Sequence, residues 1–285
     1  MLAPQVVEEI ERKLGPALKS LVLFGSATRP EDYMVGLSDV NVAVLLEGSV
    51  SVEELVDIED SYKISVEPLT PAILQDLASR GAILAFYLKY DSKALLDDGT
   101  FSAFLEDVPV RPTKETYDDL EKISLFCLET SIEKYFEGKY HRTFYYLYKS
   151  LKNALVLQGL AERGVFTVKN EKLMEGFERS KEKSLFKSLV LSCKQLACDK
   201  QLAWKVVDQV IDALSSLLSK EIPRFSNVIA ALSSKYKNPT PELVALRFRG
   251  GSAVWIVELA HEGGFARVAC NHEIEEVGIE DVHLE

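Results

Sequence analysis

The feature that most constrains this chain is a change of hydrophobic period across "VPVRPT", where Pro109 and Pro112 interrupt helix and strand alike. Upstream, apolar runs of strand length alternate with helical patterns. Downstream, from 113 to about 234, apolar residues recur almost throughout at helical spacing. From Pro239 the pattern turns to β-rich runs separated by Gly250-Gly251 and Gly263-Gly264, as in a hairpin or three-stranded meander. At 285 residues the chain is also long for one core. The expected organisation is an α/β (α+β) domain over 1–110, an all-α helical bundle over 111–237 and a small β-rich C-terminal unit over 238–285.

The first region reads as a helix over 4–18, a strand over 20–24 stopped by Gly25, and a second buried strand over 40–46. "SVEELVDIEDSY" follows as a helix with Ser51 as N-cap and Glu54 closing a capping box. "KISVEPL" is a third strand, broken by Pro68, and Thr70-Pro71 opens a helix that Gly81 ends. "AFYLKYDSKALLDD" is expected to hold a further strand before the Asp97-Asp98-Gly99 turn.

Charge is unevenly spread. Residues 1–110 carry 19 acids against 8 bases, 111–235 carry 16 against 21, and 236–285 carry 9 against 4. Only the middle stretch suits phosphate, and the acidic first region disfavours duplex nucleic acid in the absence of metal ions. No apolar run approaches the ~20 residues that span a bilayer, and the N-terminal stretch has acids where a signal peptide needs bases, so a cytoplasmic protein is expected. Cys127, Cys193, Cys198 and Cys270 form no CxxC pair and read as buried reduced thiols. His261, His272 and His283 have no metal-ligand spacing.

The chemistry concentrates in "LVLFGSATRPEDYMVGLSDVNVAVLL". A Gly-Ser turn leaving a strand offers backbone N–H groups and a hydroxyl to a phosphate, with no Cβ in the way at Gly25. Asp39 at the start of the next strand would share a face with Asn41, two residues on. A carboxylate from a neighbouring strand would complete a metal site for in-line phosphoryl transfer, and Glu67 in "ISVEPLT" is placed to supply it.

An apolar strand, Gly-Ser, an acidic strand about a dozen residues later and a third acid beyond it resemble the DNA polymerase β-like nucleotidyltransferase superfamily, in its minimal nucleotidyltransferase branch. The resemblance covers roughly residues 4–105. It implies that Gly25 and Ser26 form the phosphate-binding turn, with Arg29 and Ser38 as further nucleotide contacts. It makes Asp39 the first metal ligand and Glu67 the third, both catalytic, with Mg2+ or Mn2+ as cofactor and an NTP such as ATP as donor. The departure is Asn41, which stands where the family has its second acid: an amide oxygen can ligate the metal but brings no charge. Glu47 and Asp57 are the candidate substitutes for that charge.

In such families a helical domain follows and supplies the far wall of the substrate cleft. "YHRTFYYLYKSLKNALVLQG" resembles a helix of these domains, including the HEPN-type bundles, with Phe144, Leu147, Leu151 and Leu155 as its core stripe. Arg142, Tyr146 and Lys149 fall on another face, suited to acceptor or phosphate contacts. The Arg-to-His spacing of HEPN ribonucleases is missing after Arg142. The expected function is transfer of a nucleoside monophosphate from an NTP to a protein, RNA or small-molecule acceptor, slowed by Asn41. The alternatives are a non-catalytic nucleotide sensor or partner-binding module on the same fold, and an interaction protein whose tail builds a homo-oligomer.

Overall fold

The computed structural model describes residues 2–48, 51–175, 180–195, 199–249, 252–271 and 273–277. Cys198, His272, His283 and the Gly250-Gly251 pair lie outside them. The chain forms two compact units, Met1–Asp119 with Gly164–Asn170, and Leu120–Arg163 with Glu171–Glu285. Among the described residues no helix is long and apolar enough to cross a membrane.

The first unit is built on a four-stranded sheet of β1 (Leu18–Phe24), β2 (Asn41–Leu46), β3 (Ser65–Leu69) and β4 (Ser92–Asp97), in the order β3-β2-β1-β4. β1 runs antiparallel to β2 and β4, whereas β2 and β3 are parallel, joined through helix α2 (Val52–Tyr62). Strand alternation divides the apolar residues between two faces. Leu21, Leu23, Val42, Val44 and Val66 pack with Ile10 and Leu14 of α1 (Pro4–Leu14) and Ile58 of α2. Val22, Phe24, Ala43, Leu45 and Leu69 pack on α3 (Pro71–Arg80), α4 (Ile83–Tyr90) and α5 (Thr100–Asp107) through Leu74, Phe86, Phe101 and Phe104. Each buried Val, Leu, Ile or Phe side chain among them contributes roughly 1.5–3 kcal/mol on leaving water.

Local signals explain most boundaries. Ser51 Oγ accepts from the Glu54 N–H (3.1 Å) while Glu54 accepts from the Ser51 N–H, the expected capping box. Gly81 ends α3 at φ +68°, where a Cβ would lie 2.6 Å from the Arg111 carbonyl oxygen, so neither backbone nor space admits another residue. The strand expected within "AFYLKYDSKALLDD" is β4, which begins at Ser92, and the residues before Asp91 are helix α4. One reading needed correction: β3 runs through Pro68 instead of breaking there, because it is an edge strand and position 68 owes no N–H to a neighbour. The outward N–H of Val66 donates to Glu59 Oε1 of α2 (2.7 Å).

In the second unit, α6 (Lys114–Phe136), which begins in the first unit, and α7 (Tyr140–Arg163) are followed by α8 (Asn170–Glu175), α9 (Ser180–Gln195), α10 (Lys200–Leu218) and α11 (Phe225–Lys235). Phe144, Leu147, Leu151 and Leu155 are buried along α7. The tail is a four-stranded antiparallel meander, one strand more than its pattern suggested: β5 (Thr240–Arg249), β6 (Ser252–His261), β7 (Gly264–Cys270) and β8 (Ile274–Glu276). It packs on the helices through the buried Trp255, whose Nε1 donates to the Pro223 carbonyl (2.7 Å) and whose ring meets Phe225 edge-on. On the β5 edge the N–H groups of Leu246 and Val244 donate to Glu129 (2.6 Å) and Glu133 (3.4 Å) of α6. Cys127, Cys193 and Cys270 are buried and outside any disulfide, and burial pushes Cys127 up to about 11.

Candidate functional site

Where β1 ends, the chain enters a short 3-10 turn, Gly25–Thr28, with Gly25 at φ +75°. The turn is tied down from inside the unit. The Gly25 N–H donates to the Asp91 backbone carbonyl (3.0 Å), and the Gly25 carbonyl accepts from Thr28 Oγ1 (2.7 Å) and Arg29 Nη1 (3.3 Å). The Gly25 N–H expected to serve a phosphate is therefore used internally. Ser26 remains half-buried, and among the described residues neither its N–H nor its hydroxyl donates to a protein acceptor.

Arg29 is not on the surface. It is 5% exposed, and its Nε donates to Asp32 (2.9 Å) while Nη1 contacts Asp91. Asp32 and Asp91 are 4% and 5% exposed, so all three charges are out of water. Asp32 Oδ2 also accepts from the Asn170 N–H (3.2 Å), tying in the segment 164–170. Asp91 Oδ2 is buried without a hydrogen-bond partner. Neither aspartate was singled out from sequence. The only hint was the i,i+3 spacing of Arg29 and Asp32.

Across the sheet from the turn, Phe24 pairs with Asn41, and a Cβ built on Gly25 would come 3.5 Å from the amide nitrogen of Asn41. Asn41 is half-buried at the start of β2. Its register partner on β3 is Ser65, and Glu67 pairs with Ala43. By alternation Asn41, Ala43 and Glu67 share the face that carries Val22 and Phe24. Glu67 reaches solvent, but desolvation raises its carboxyl above the ordinary glutamate range, and the Glu59 carboxylate adds to the rise.

Asp39 stands apart from the expectation that it begins the strand. β2 starts at Asn41, and Asp39 is an exposed loop residue just before Val40, whose carbonyl accepts the Ser65 N–H (2.9 Å). The strand period does not fix its direction. Ser38 Oγ accepts from the Met34 N–H (3.0 Å) and its own N–H returns to the Met34 carbonyl, closing the loop that delivers Asp39.

Among the described residues no three His, Cys, Asp or Glu converge as a metal cluster. The donors that β2 and β3 offer are oxygens, the Asn41 amide and the Glu67 carboxylate, with Asp39 preceding them. Such hard donors fit Mg2+, which takes one or two carboxylates and completes its shell with water and phosphate. In the second unit, Arg142, Tyr146 and Lys149 are half-buried on α7, and Lys149 Nζ lies 4.8 Å from the centre of the Tyr145 ring.

No family model matches the chain, and no curated protein matches it. Among solved structures it is similar to the spectinomycin adenyltransferase AAD(9) from Enterococcus faecialis, solved with ATP and spectinomycin. That likeness has a TM-score of 0.51 at 12% identity, over 76% of this chain and 98% of that one. A nucleotidyltransferase-like protein from Exiguobacterium sibiricum 255-15 covers 90% of this chain and 99% of its own at TM-score 0.29 and 10% identity. A toxin-antitoxin structure with AMP-PNP covers 36% and 82% at TM-score 0.26 and 17% identity. The chain thus has a mixed α/β and helical fold similar to that of this adenyltransferase.

Proposed function

We propose that the chain transfers a nucleoside monophosphate from a magnesium-bound NTP to an acceptor hydroxyl. The observation that carries the reading is the shared sheet face of Asn41 and Glu67, with Asn41 against the Gly25 turn, on a fold like that of an adenyltransferase. Ser26 holds the triphosphate by its N–H and hydroxyl. Asp39, Asn41 and Glu67 hold the metal. Bound Mg2+ supplies charge stabilisation at the α-phosphorus and the departing pyrophosphate. The acceptor oxygen bonds to the α-phosphorus as the bridging bond to the β-phosphate breaks. The acceptor hydroxyl gives up its proton to solvent in the same step, and Glu67 serves there as a metal ligand. Acceptor binding is assigned to the helical unit, through Arg142, Tyr146 and Lys149 of α7.

Transfer of α-labelled nucleotide, dependent on Mg2+ and abolished by Asp39→Ala, is the test. Absence of transfer from all four NTPs to protein, RNA and aminoglycoside-like acceptors would remove the enzymatic reading. A second reading is favoured by one residue: Asn41 withholds the charge of a second acid, which suits nucleotide binding without turnover. It predicts that MgATP raises the melting temperature while no nucleotide is transferred.

A further inference from the structure

The buried charges beside the Gly25 turn have a geometry that a phosphate ligand would not need. Arg29 bridges two aspartates from different elements: Asp32, three residues on in the same loop, and Asp91, at the junction of α4 and β4. Asp91 holds the turn twice, its main-chain carbonyl taking the Gly25 N–H and its side chain taking Arg29 and, more weakly, Thr28 Oγ1 at 3.4 Å. Arg29 and Thr28 in turn both donate to the Gly25 carbonyl. Both polar groups of the Gly25 peptide backbone are thereby fixed by this frame, and the next residue is Ser26, the candidate phosphate contact.

We infer that Arg29, Asp32 and Asp91 act as positioning residues, setting the orientation of the Ser26 N–H and hydroxyl while touching no nucleotide themselves. The inference rests on the nucleotide reading of the turn given above. With 5% exposure, Arg29 spends its Nε and Nη1 on two carboxylates and the Gly25 carbonyl inside the protein, whereas a fixed Gly25 peptide presents the following N–H in one direction. The frame carries one guanidinium against two carboxylates, so any anion bound at the turn meets net negative charge behind it. The N–H and hydroxyl of Ser26 must then be well aimed, and a metal ion must accompany the phosphates.

The test uses the full chain and two variants, Asp91→Asn and Arg29→Lys, the second keeping the charge but losing the fork that spans two carboxylates. Amide hydrogen exchange without nucleotide should quicken at 26–28 in either variant while the β1 amides keep wild-type protection. MgATP affinity, measured well below the melting temperature, should fall on the order of tenfold, the scale at which partners that orient a ligand group act. The added loss on Ser26→Ala should be smaller in the Asp91→Asn background than in wild type, because a misaimed Ser26 has less to lose. Wild-type binding combined with unchanged exchange at 26–28, or with a fully additive double mutant, overturns the inference alone. Failure of the wild type to bind any nucleotide overturns the functional reading and takes this inference with it.

Discussion

Asn41 and Glu67 lie on one face of the first sheet, on adjacent parallel strands, with Glu67 two positions beyond the register partner of Asn41. Diagonal neighbours of this kind are roughly 7–8 Å apart, within reach of a side chain as long as Glu67. The relationship puts Asn41, the amide that stands where the motif has its second acid, inside the proposed donor set.

Restoring the missing charge is therefore informative. Asn41→Asp adds a unit charge beside the proposed Mg2+, and at roughly 4 Å from a divalent ion that is worth about 2 kcal/mol even at the dielectric of water. Mg2+ dependence of nucleotide binding should tighten about tenfold or more, read from a Mg2+ titration at fixed nucleotide. An unchanged midpoint would mean that position 41 does not face the cation.

Arg29→Met should be costly in the absence of any ligand. It leaves two buried carboxylates without their cation, a change of about 3 kcal/mol or more. Urea unfolding of the free protein measures it. An exposed phosphate-binding arginine would leave that midpoint where it was.

Asp97 sets an acid limit. Burial alone would raise its carboxyl, but the Ser102 and Ser20 hydroxyls and the N–H groups of Phe101 and Ser102 outweigh that and hold it at about 2. With the folded value depressed, its contribution is complete above the unfolded value of about 3.8 and is lost as pH falls towards 2. Asp97→Asn should cost about 2 kcal/mol at neutral pH, and the gap to wild type should close between about pH 4 and pH 2. A gap independent of pH would show that the carboxylate charge is not what these donors stabilise.

Much of this was legible before any coordinates. The Gly25-Ser26 turn, the two strands that flank its loop, the helical stretch and the Ser51-Glu54 box follow from period and local chemistry, which act over a few residues. What sequence did not show was set by distance or burial. "ILAFYLKY" is apolar on nearly every side, so its period does not separate helix from strand, and only packing of Ala85, Phe86 and Leu88 decides for α4. Arg29 reads as a solvent-facing base until Asp91, 62 residues away, is brought beside it. Pro68 reads as a strand breaker until β3 proves to be at the edge. Asp39 reads as a strand residue because the apolar run hides where pairing starts.

The glutamates that cap the outer amides of β3 and β5 have a consequence for crowding. An uncovered border strand is a template on which a second molecule can continue the hydrogen-bond ladder, the first step towards fibres. With Val66, Val244 and Leu246 already bonded to carboxylates and a proline at 68, an incoming chain would have to displace an anion to reach each of these three amides and would find no donor at position 68. Each such displacement weighs against continuing the ladder along these two borders.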